Sequence, residues 1–236
     1  MTGYNEAFII DGETKEKLIA EDPKSEEIIR PLLRGRDIRR YGYEFADLYL
    51  ITTFPSLKID IELYPAVKQH LLSFGYDRLK QTGEQNARKK TNNQWFETQD
   101  TISYWEDFSK QKIIYPNMTK FMPFYLDKYG YYTNQKCFII TGSNLAYLTA
   151  FFNSKVFKIC YRDNFPELQG GTRELSKVFF ENIKIPPIKS IISEDFNTFV
   201  EDLQDGKDYA DLRLERALIR HLDLYQYEDY IMNYKI

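Results

Sequence analysis

Apolar and polar positions along this chain follow two rhythms, and the change from one to the other sorts it into strands and helices. Residues 7–10, Ala-Phe-Ile-Ile, predict a short strand, and Asp11-Gly12 predicts the turn after it. Residues 13–20 then put Leu18 and Ile19 on one apolar face. At 22–29 a second helix start is expected. There Asp22 or Ser25 can accept an orphan backbone N–H, Glu26 and Glu27 sit in the positive first turn, and Pro31 is expected to end the helix. Residues 48–53, Leu-Tyr-Leu-Ile-Thr-Thr, are strand formers. Pro65 opens a helix with Val67, Leu71, Leu72 and Phe74 on one side and Gly75 as its cap.

From 112 to 141 the pattern predicts a meander of three strands, 112–115, 123–126 and 131–140, with Lys128-Tyr129-Gly130 as a turn. Ser143 can cap a helix carrying Leu145, Leu148 and Phe152, and a second apolar set, Val156, Phe157, Ile159 and Cys160, continues beyond Asn153-Ser154. Residues 164–174 are expected to be an exposed loop, and Pro186-Pro187 closes the body. Helical spacing returns at Phe196, Phe199, Val200 and Leu203, and again at Leu214, Leu218 and Leu222, with Gly206 between. The expected fold is α+β, a mixed and mainly antiparallel β core with flanking helices. Residues 1–190 are expected as the body and 191–236 as a helical C-terminal appendage.

Composition refines this picture in three ways. The aromatic share is 16%, high for a chain of 236 residues, and there is no apolar run long enough for a membrane span and no signal sequence, so a cytoplasmic location is expected. Cys137 and Cys160 both lie in apolar runs and are expected as buried thiols. The net charge of −3 is uneven. Residues 194–229 hold 11 acidic and 4 basic side chains, whereas residues 1–193 hold 27 basic against 24 acidic. An acidic helical tail could dock a basic partner, which keeps open a second reading as a protein-interaction or scaffold subunit.

Several chemistries lack their residues. Transfer of a methyl group to a base amino group needs a glycine-rich turn for the donor and an Asn or Asp before Pro-Pro. Here Pro-Pro follows Ile185, and the Gly170-Gly171 pair lies in a polar loop. Nuclease-like acid-x-Lys matches occur at Glu13-Thr14-Lys15, Asp22-Pro23-Lys24 and Asp205-Gly206-Lys207, in contexts that do not suit a pair of adjacent strands. His70 and His221 stand in helical patterns without ligand neighbours and are expected as surface or core residues. No catalytic or metal site is expected within the chain.

Basic and amide-bearing stretches interleaved with aromatics remain, the side chains that nucleic-acid recognition needs. Arginine can grip a phosphate or the O6 and N7 edge of guanine, and Asn or Gln can pair with adenine. The first stretch runs from Arg30 to Tyr41 and sets five arginines, including Arg34, Arg36, Arg39 and Arg40, against Asp37. The second holds Arg88, Lys89, Lys90, Asn92, Asn93 and Gln94 and ends at Trp95. The third, 161–173, carries Gln169 and Arg173 around a glycine pair, and Lys120 joins the candidate set. The plain alternatives are a solvated basic turn, a floppy linker and a surface loop.

The phrases Gly3-Tyr4-Asn5-Glu6-Ala7-Phe8-Ile9-Ile10, Pro31-Leu32-Leu33-Arg34-Gly35-Arg36-Asp37-Ile38-Arg39-Arg40-Tyr41, Trp95-Phe96-Glu97 with Tyr104-Trp105, and Lys112-Ile113-Ile114-Tyr115-Pro116 follow in an order that resembles the TaqI-like C-terminal specificity domain of type IIG restriction enzymes and related adenine-specific DNA methyltransferases. Residues 148–154 and Ile185-Pro186-Pro187 extend the resemblance, which covers residues 3–190. It implies sequence-specific recognition of double-stranded DNA by a target-recognition domain in a restriction-modification system. Catalysis would then belong to a methyltransferase domain that uses S-adenosylmethionine and flips the target adenine, and in fused enzymes to a magnesium-dependent nuclease. The chain is accordingly expected to be a C-terminal part of a larger polypeptide or a detached specificity subunit. The second and third stretches are the expected base readers, and the arginine phrase is expected to touch phosphate or to hold a domain junction.

Overall fold

A computed structural model describes residues 2–188 and 193–235, with the side chains of 193–195 outside the description. In chain order the strands are β1 (Ile9–Asp11), β2 (Ile29–Leu33), β3 (Ile38–Arg39), β4 (Gly42–Tyr43), β5 (Leu48–Ile51), β6 (Lys112–Pro116), β7 (Met118–Thr119), β8 (Tyr125–Asp127), β9 (Tyr132–Thr133), β10 (Cys137–Ile140) and β11 (Arg173–Glu174). The helices are α1 (Asn5–Phe8), α2 (Gly12–Glu21), α3 (Pro65–Ser73), α4 (Tyr76–Leu79), α5 (Leu145–Asn153), α6 (Lys155–Tyr161), α7 (Lys177–Phe180), α8 (Ser193–Gln204), α9 (Tyr209–His221) and α10 (Glu228–Asn233), with short 3-10 turns between them. This is the mixed, mainly antiparallel α+β class that the sequence predicts. Contacts divide the chain into unit 1, Met1–Leu33, Phe45–Ser109 and Gly130–Gln135, and unit 2, Arg34–Glu44, Lys110–Tyr129 and Lys136–Ile236.

Unit 1 is built on a sheet of order β1-β5-β2-β9, antiparallel except for β2 with β9. The apolar run at 7–10 is shared between two elements. Ala7 and Phe8 are buried in the single turn of α1, and the strand begins at Ile9. Asp11 caps α2 by accepting the Thr14 N–H at 2.9 Å, and Asp22 caps the next turn, Pro23–Ile28, by accepting from Lys24. That turn ends at Ile28 rather than at Pro31. Pro31 lies inside β2, at the residue where the strand leaves β5 and takes up β9, a position that tolerates the missing N–H. Pro65 starts α3 as expected, and Gly75 follows it with φ of 95°. His70 Nε2 meets the Ala7 carbonyl at 3.1 Å, and burial lowers its pKa, so it is a core-side histidine.

Unit 2 carries the sheet β10-β6-β8, antiparallel throughout, and two short ladders, β3 with β4 and β7 with β11. The expected third strand at 131–140 is divided. Tyr132–Thr133 pairs with β2 in unit 1, and Cys137–Ile140 pairs with β6 in unit 2. Asn144, left-handed at φ 56°, precedes α5 without a side-chain cap, so Ser143 does not play that part. Ser154 separates α5 from α6 and caps the second by accepting the Phe157 N–H at 3.1 Å. The expected loop at 164–174 is more ordered than its polarity suggests, because Phe165 is buried and Arg173–Glu174 pairs with β7.

One apolar cluster holds unit 2 together, with Phe124, Phe151, Phe152 and Phe157 at its centre. Phe196 and Val200 of α8 and Leu214 and Leu218 of α9 are fully buried in the same cluster. Each such side chain contributes about 1.5–3 kcal/mol through burial. The expected boundary at 190/191 lies outside the described residues, but the helices beyond it are not an appendage. Their apolar faces complete the core of unit 2, and part of their acidic face is matched internally, where Asp211 and Glu215 of α9 meet Arg40. His221 belongs to this core too, 5% exposed with Nε2 at 3.2 Å from the Pro187 carbonyl. Cys137 is buried as expected and Cys160 is exposed, since its side of α6 lies away from the cluster. Among the described residues no helix is long and apolar enough to cross a membrane.

Candidate nucleic-acid interface

Gly35 sets the path of the arginine phrase. A Cβ there would stand 2.9 Å from the Lys136 carbonyl oxygen, so only glycine lets the two backbones approach this closely. Asp37 then organises the phrase from within. It accepts the Arg34 backbone N–H at 2.8 Å and both Nε and Nη2 of the same side chain, and these bonds outweigh its burial and hold its carboxyl below the usual range. Arg34 is therefore spent on the turn. Arg39 is paired at the surface with Glu44, and Arg36 is exposed with no side-chain partner among the described residues.

This turn forms one wall of a cleft of about 740 Å³ within unit 2. Five cationic residues line it, Arg36, Arg39, Arg40, Lys136 and Lys158, and no carboxylate among the described residues does. Ile38, Pro116, Met118, Phe121 and Pro123 supply apolar surface. A smaller cavity of about 160 Å³ shares Phe121 and Lys158 with the first and adds Lys120, Arg162 and Lys235. Positive charge surrounding low-dielectric walls focuses the field and attracts a polyanion.

Lys158 explains much of the electrostatics. It is 6% exposed, and burial with the nearby Arg40 charge pulls its pKa down to about 8. Arg40 grips Asp211 through both terminal nitrogens and lies 3.7 Å from Glu215. Burial pushes the Glu215 carboxyl up to about 7, against the pull of the Lys155 N–H and Arg40, and its Oε2 has no hydrogen-bond partner. One face of the cleft thus rests on a partly buried cluster of two cations and two acids, with Lys158 and Glu215 at its inner side.

The second stretch lies in unit 1, and it is no linker. Arg88 is 4% exposed and donates to the carbonyls of Thr2, Leu79, Trp95 and Glu97, and burial lowers its pKa to about 10. Asn93 is likewise taken up, donating to Thr98 and Gln99, while Gln81 donates to the carbonyls of Gln94 and Glu97. Lys89, Lys90, Asn92 and Gln94 are exposed on this braced loop.

The third stretch is pinned in a similar way. Arg173 is 8% exposed, donates to the Phe165 carbonyl and pairs with Asp163 and Glu167. The β7–β11 ladder sets this loop beside Lys120, whose Cε lies 3.7 Å from where a Gly171 Cβ would be, and Gln169 is exposed at its turn. Parts of the first and third stretches therefore come together in unit 2. Arg36, Lys89, Lys90, Asn92, Gln94, Lys120 and Gln169 are displayed, Arg39 is exposed but donates to Glu44 and to the Arg36 and Ile38 carbonyls, and Arg34, Arg40, Arg88, Asn93 and Arg173 are engaged in holding the fold. Sequence reasoning missed Lys136, Lys158, Lys235 and Phe121, and it included Arg162 in the third stretch without singling it out. The available signals were a lysine inside the apolar run Val156-Phe157-Lys158-Ile159 and an aromatic beside a lone lysine at Lys120-Phe121.

Taken together, these features define a two-unit α+β recognition module that presents braced polar loops and a cationic cleft with apolar walls. The chain belongs to the TaqI-like C-terminal specificity domain family, whose match spans residues 30–185. Solved structures with a similar fold include the type IIG restriction endonuclease BpuSI, at 16% identity and a TM-score of 0.51, and the type IIL restriction-modification enzyme MmeI in complex with DNA, at 14% and 0.59. The likeness covers 88% and 92% of this chain but only 28% and 31% of those two. No curated protein matches the sequence.

Proposed function

We propose that this chain is the module that selects the DNA sequence in a restriction-modification enzyme and reads double-stranded DNA for catalytic domains that act on it. The observation that carries this reading is the cleft of unit 2, where five cations and no described carboxylate line apolar walls in a member of a specificity-domain family. Phosphate contacts from Arg36, Lys120, Lys136 and Arg162 would fix register, and the exposed amides Asn92, Gln94 and Gln169 would read base edges. Methyl transfer with S-adenosylmethionine and magnesium-dependent cleavage would belong to a methyltransferase domain, and where present a nuclease domain, of the same polypeptide or complex in the cytoplasm. MmeI, solved on DNA, supports the choice of ligand. The scaffold reading carries less weight, since the acidic helices that suggested it are built into the core.

Titration of a fluorescent duplex across a salt series tests this. These four phosphate contacts contribute about −3.6 to the slope of log K against log[salt], and each further lysine that meets a phosphate adds about −0.9, so affinity should fall at least roughly 100-fold between 50 and 200 mM. An affinity that does not change with salt would overturn the proposal.

A further inference from the structure

Phe121 is 71% exposed, the most exposed large apolar side chain among the described residues. Its backbone is held in place. Thr119 Oγ1 accepts the N–H groups of Phe121 and Met122 at 3.1 and 3.2 Å, β11 pins Thr119, and the next residue, Met122, is buried at 2% with φ of 50°. With Thr119 and Met122 anchored on either side, the ring is directed outward. It stands between the two cationic cavities and lines both of them, as does Lys158.

Lys158 has the opposite character. It is nearly buried, lines the same two cavities, and makes no side-chain hydrogen bond or ion pair among the described residues. Its carbon stem is buried while its ammonium opens onto the two cavities without a hydrogen-bond partner, so an anion entering either one meets a cation ready to bind it.

We propose that Phe121 and Lys158 together hold one nucleotide of the bound DNA, the ring stacking on its base and the ammonium binding its phosphate. This rests on the DNA-recognition reading and sharpens it. An exposed ring with cations on both sides, Arg36 and Lys136 on one and Lys120 and Arg162 on the other, suits a nucleotide, whose neutral base offers a face for stacking and whose phosphate carries the negative charge. It suits an apolar protein surface less well. Every base offers a π-face, so stacking demands no particular sequence. The face is reachable only where the duplex stack opens, so the nucleotide is extrahelical or sits at a widened step. The larger cleft, about 740 Å³ with apolar walls, has room for a base.

The test uses the whole chain and two 20-base-pair duplexes, one fully paired and one with a single bulged 2-aminopurine. The expected result is tighter binding of the bulged duplex with quenching of its fluorescence. Phe121→Ala loses about 5- to 150-fold of that affinity, Phe121→Trp retains it, and Lys158→Met lowers the salt slope by about 1. Deoxyadenosine monophosphate should displace the bulged duplex from the wild-type chain and not from Phe121→Ala. Phe121 is exposed, so its loss leaves the fold intact, and circular dichroism of each variant checks this. Equal binding of both duplexes, with Phe121→Ala indistinguishable from wild type, overturns the inference and leaves DNA recognition standing. No binding of either duplex by the wild-type chain overturns both.

Discussion

Arg40 and Asp211, 171 residues apart in sequence, meet in a two-pronged ion pair with nitrogen–oxygen distances of 2.8 and 2.7 Å. The pair ties the arginine phrase to α9, so the C-terminal helices take part in shaping the cleft wall. Asp211→Ala should cost about 1–2 kcal/mol, read from the urea midpoint, because both groups are about one-third exposed. Deleting residues 194–236 should do far more. With Phe196, Val200, Leu214 and Leu218 gone from the core, unit 2 should lose its cooperative transition, and retention of a sharp one would show that the core closes without them.

Arg88 is expected to act on stability and only indirectly on DNA. Arg88→Met leaves four carbonyls without their donor and should cost about 3 kcal/mol. Its charge points into the fold, so the salt slope of binding should be unchanged in buffer where the variant remains folded.

The exposed residues on the same loop should behave the other way round. Lys89→Ala and Lys90→Ala should leave the urea midpoint within about 0.5 kcal/mol of wild type and each reduce the salt slope by about 1. Asn92→Ala and Gln94→Ala should alter which sequences are preferred, measured by selection from a random duplex pool, at about 1–3 kcal/mol per base pair read. An unchanged preference would remove this loop from base reading.

The buried cluster predicts two pH windows of opposite sign. Glu215 has a folded pKa raised to about 7, so the native state holds more protons than the unfolded chain below that value. Stability should therefore fall as pH rises from about 4.5 to about 7. Lys158 has a folded pKa lowered to about 8, so the unfolded chain holds more protons above it, and stability should rise from about pH 8 to about 10.5. Subtracting the stability curve of Glu215→Gln from that of wild type should isolate the first slope, and Lys158→Met the second. A flat difference curve in either window would refute that assignment.

Thiol labelling separates the two cysteines. Cys160 is exposed and should react with an aromatic disulfide reagent in the native state, whereas Cys137 is buried, its pKa pushed up to about 12, and should react only on unfolding. A single rapid equivalent is the expected burst, and two would contradict the burial of Cys137.

Local chemistry made much of the fold legible. Asp11, Asp22, Pro65, Gly75 and Ser154 punctuate the chain where their side chains or backbone preferences say they should. What the sequence hid depends on partners distant along it. Pro31 reads as a helix stop, yet it sits in a strand because Leu50 and Tyr132 flank that segment in the sheet. The acidic tail reads as an appendage because its charge and helical spacing are visible in the sequence and the phenylalanine cluster that covers its apolar face is not. The same limit governs the site. An arginine count cannot tell Arg36, which is free, from Arg88 or Arg173, whose terminal nitrogens are held by nearby carbonyls and carboxylates. Lys158 counts as one lysine among many until the fold shows it buried without a partner.

The interleaving of the two units carries a consequence for how such a module is made and altered. Unit 1 is unfinished until Tyr132 has been synthesised to join β2, so its first thirty-odd residues must wait for a segment that lies beyond two separate stretches of unit 2, Arg34–Glu44 and Lys110–Tyr129. Any single crossover between two relatives, wherever it falls from Arg34 to Gln135, yields a chimaera with both halves of mixed parentage. New specificities should therefore arise more readily by changing loops in place, or by exchanging the module whole, than by cutting it in the middle.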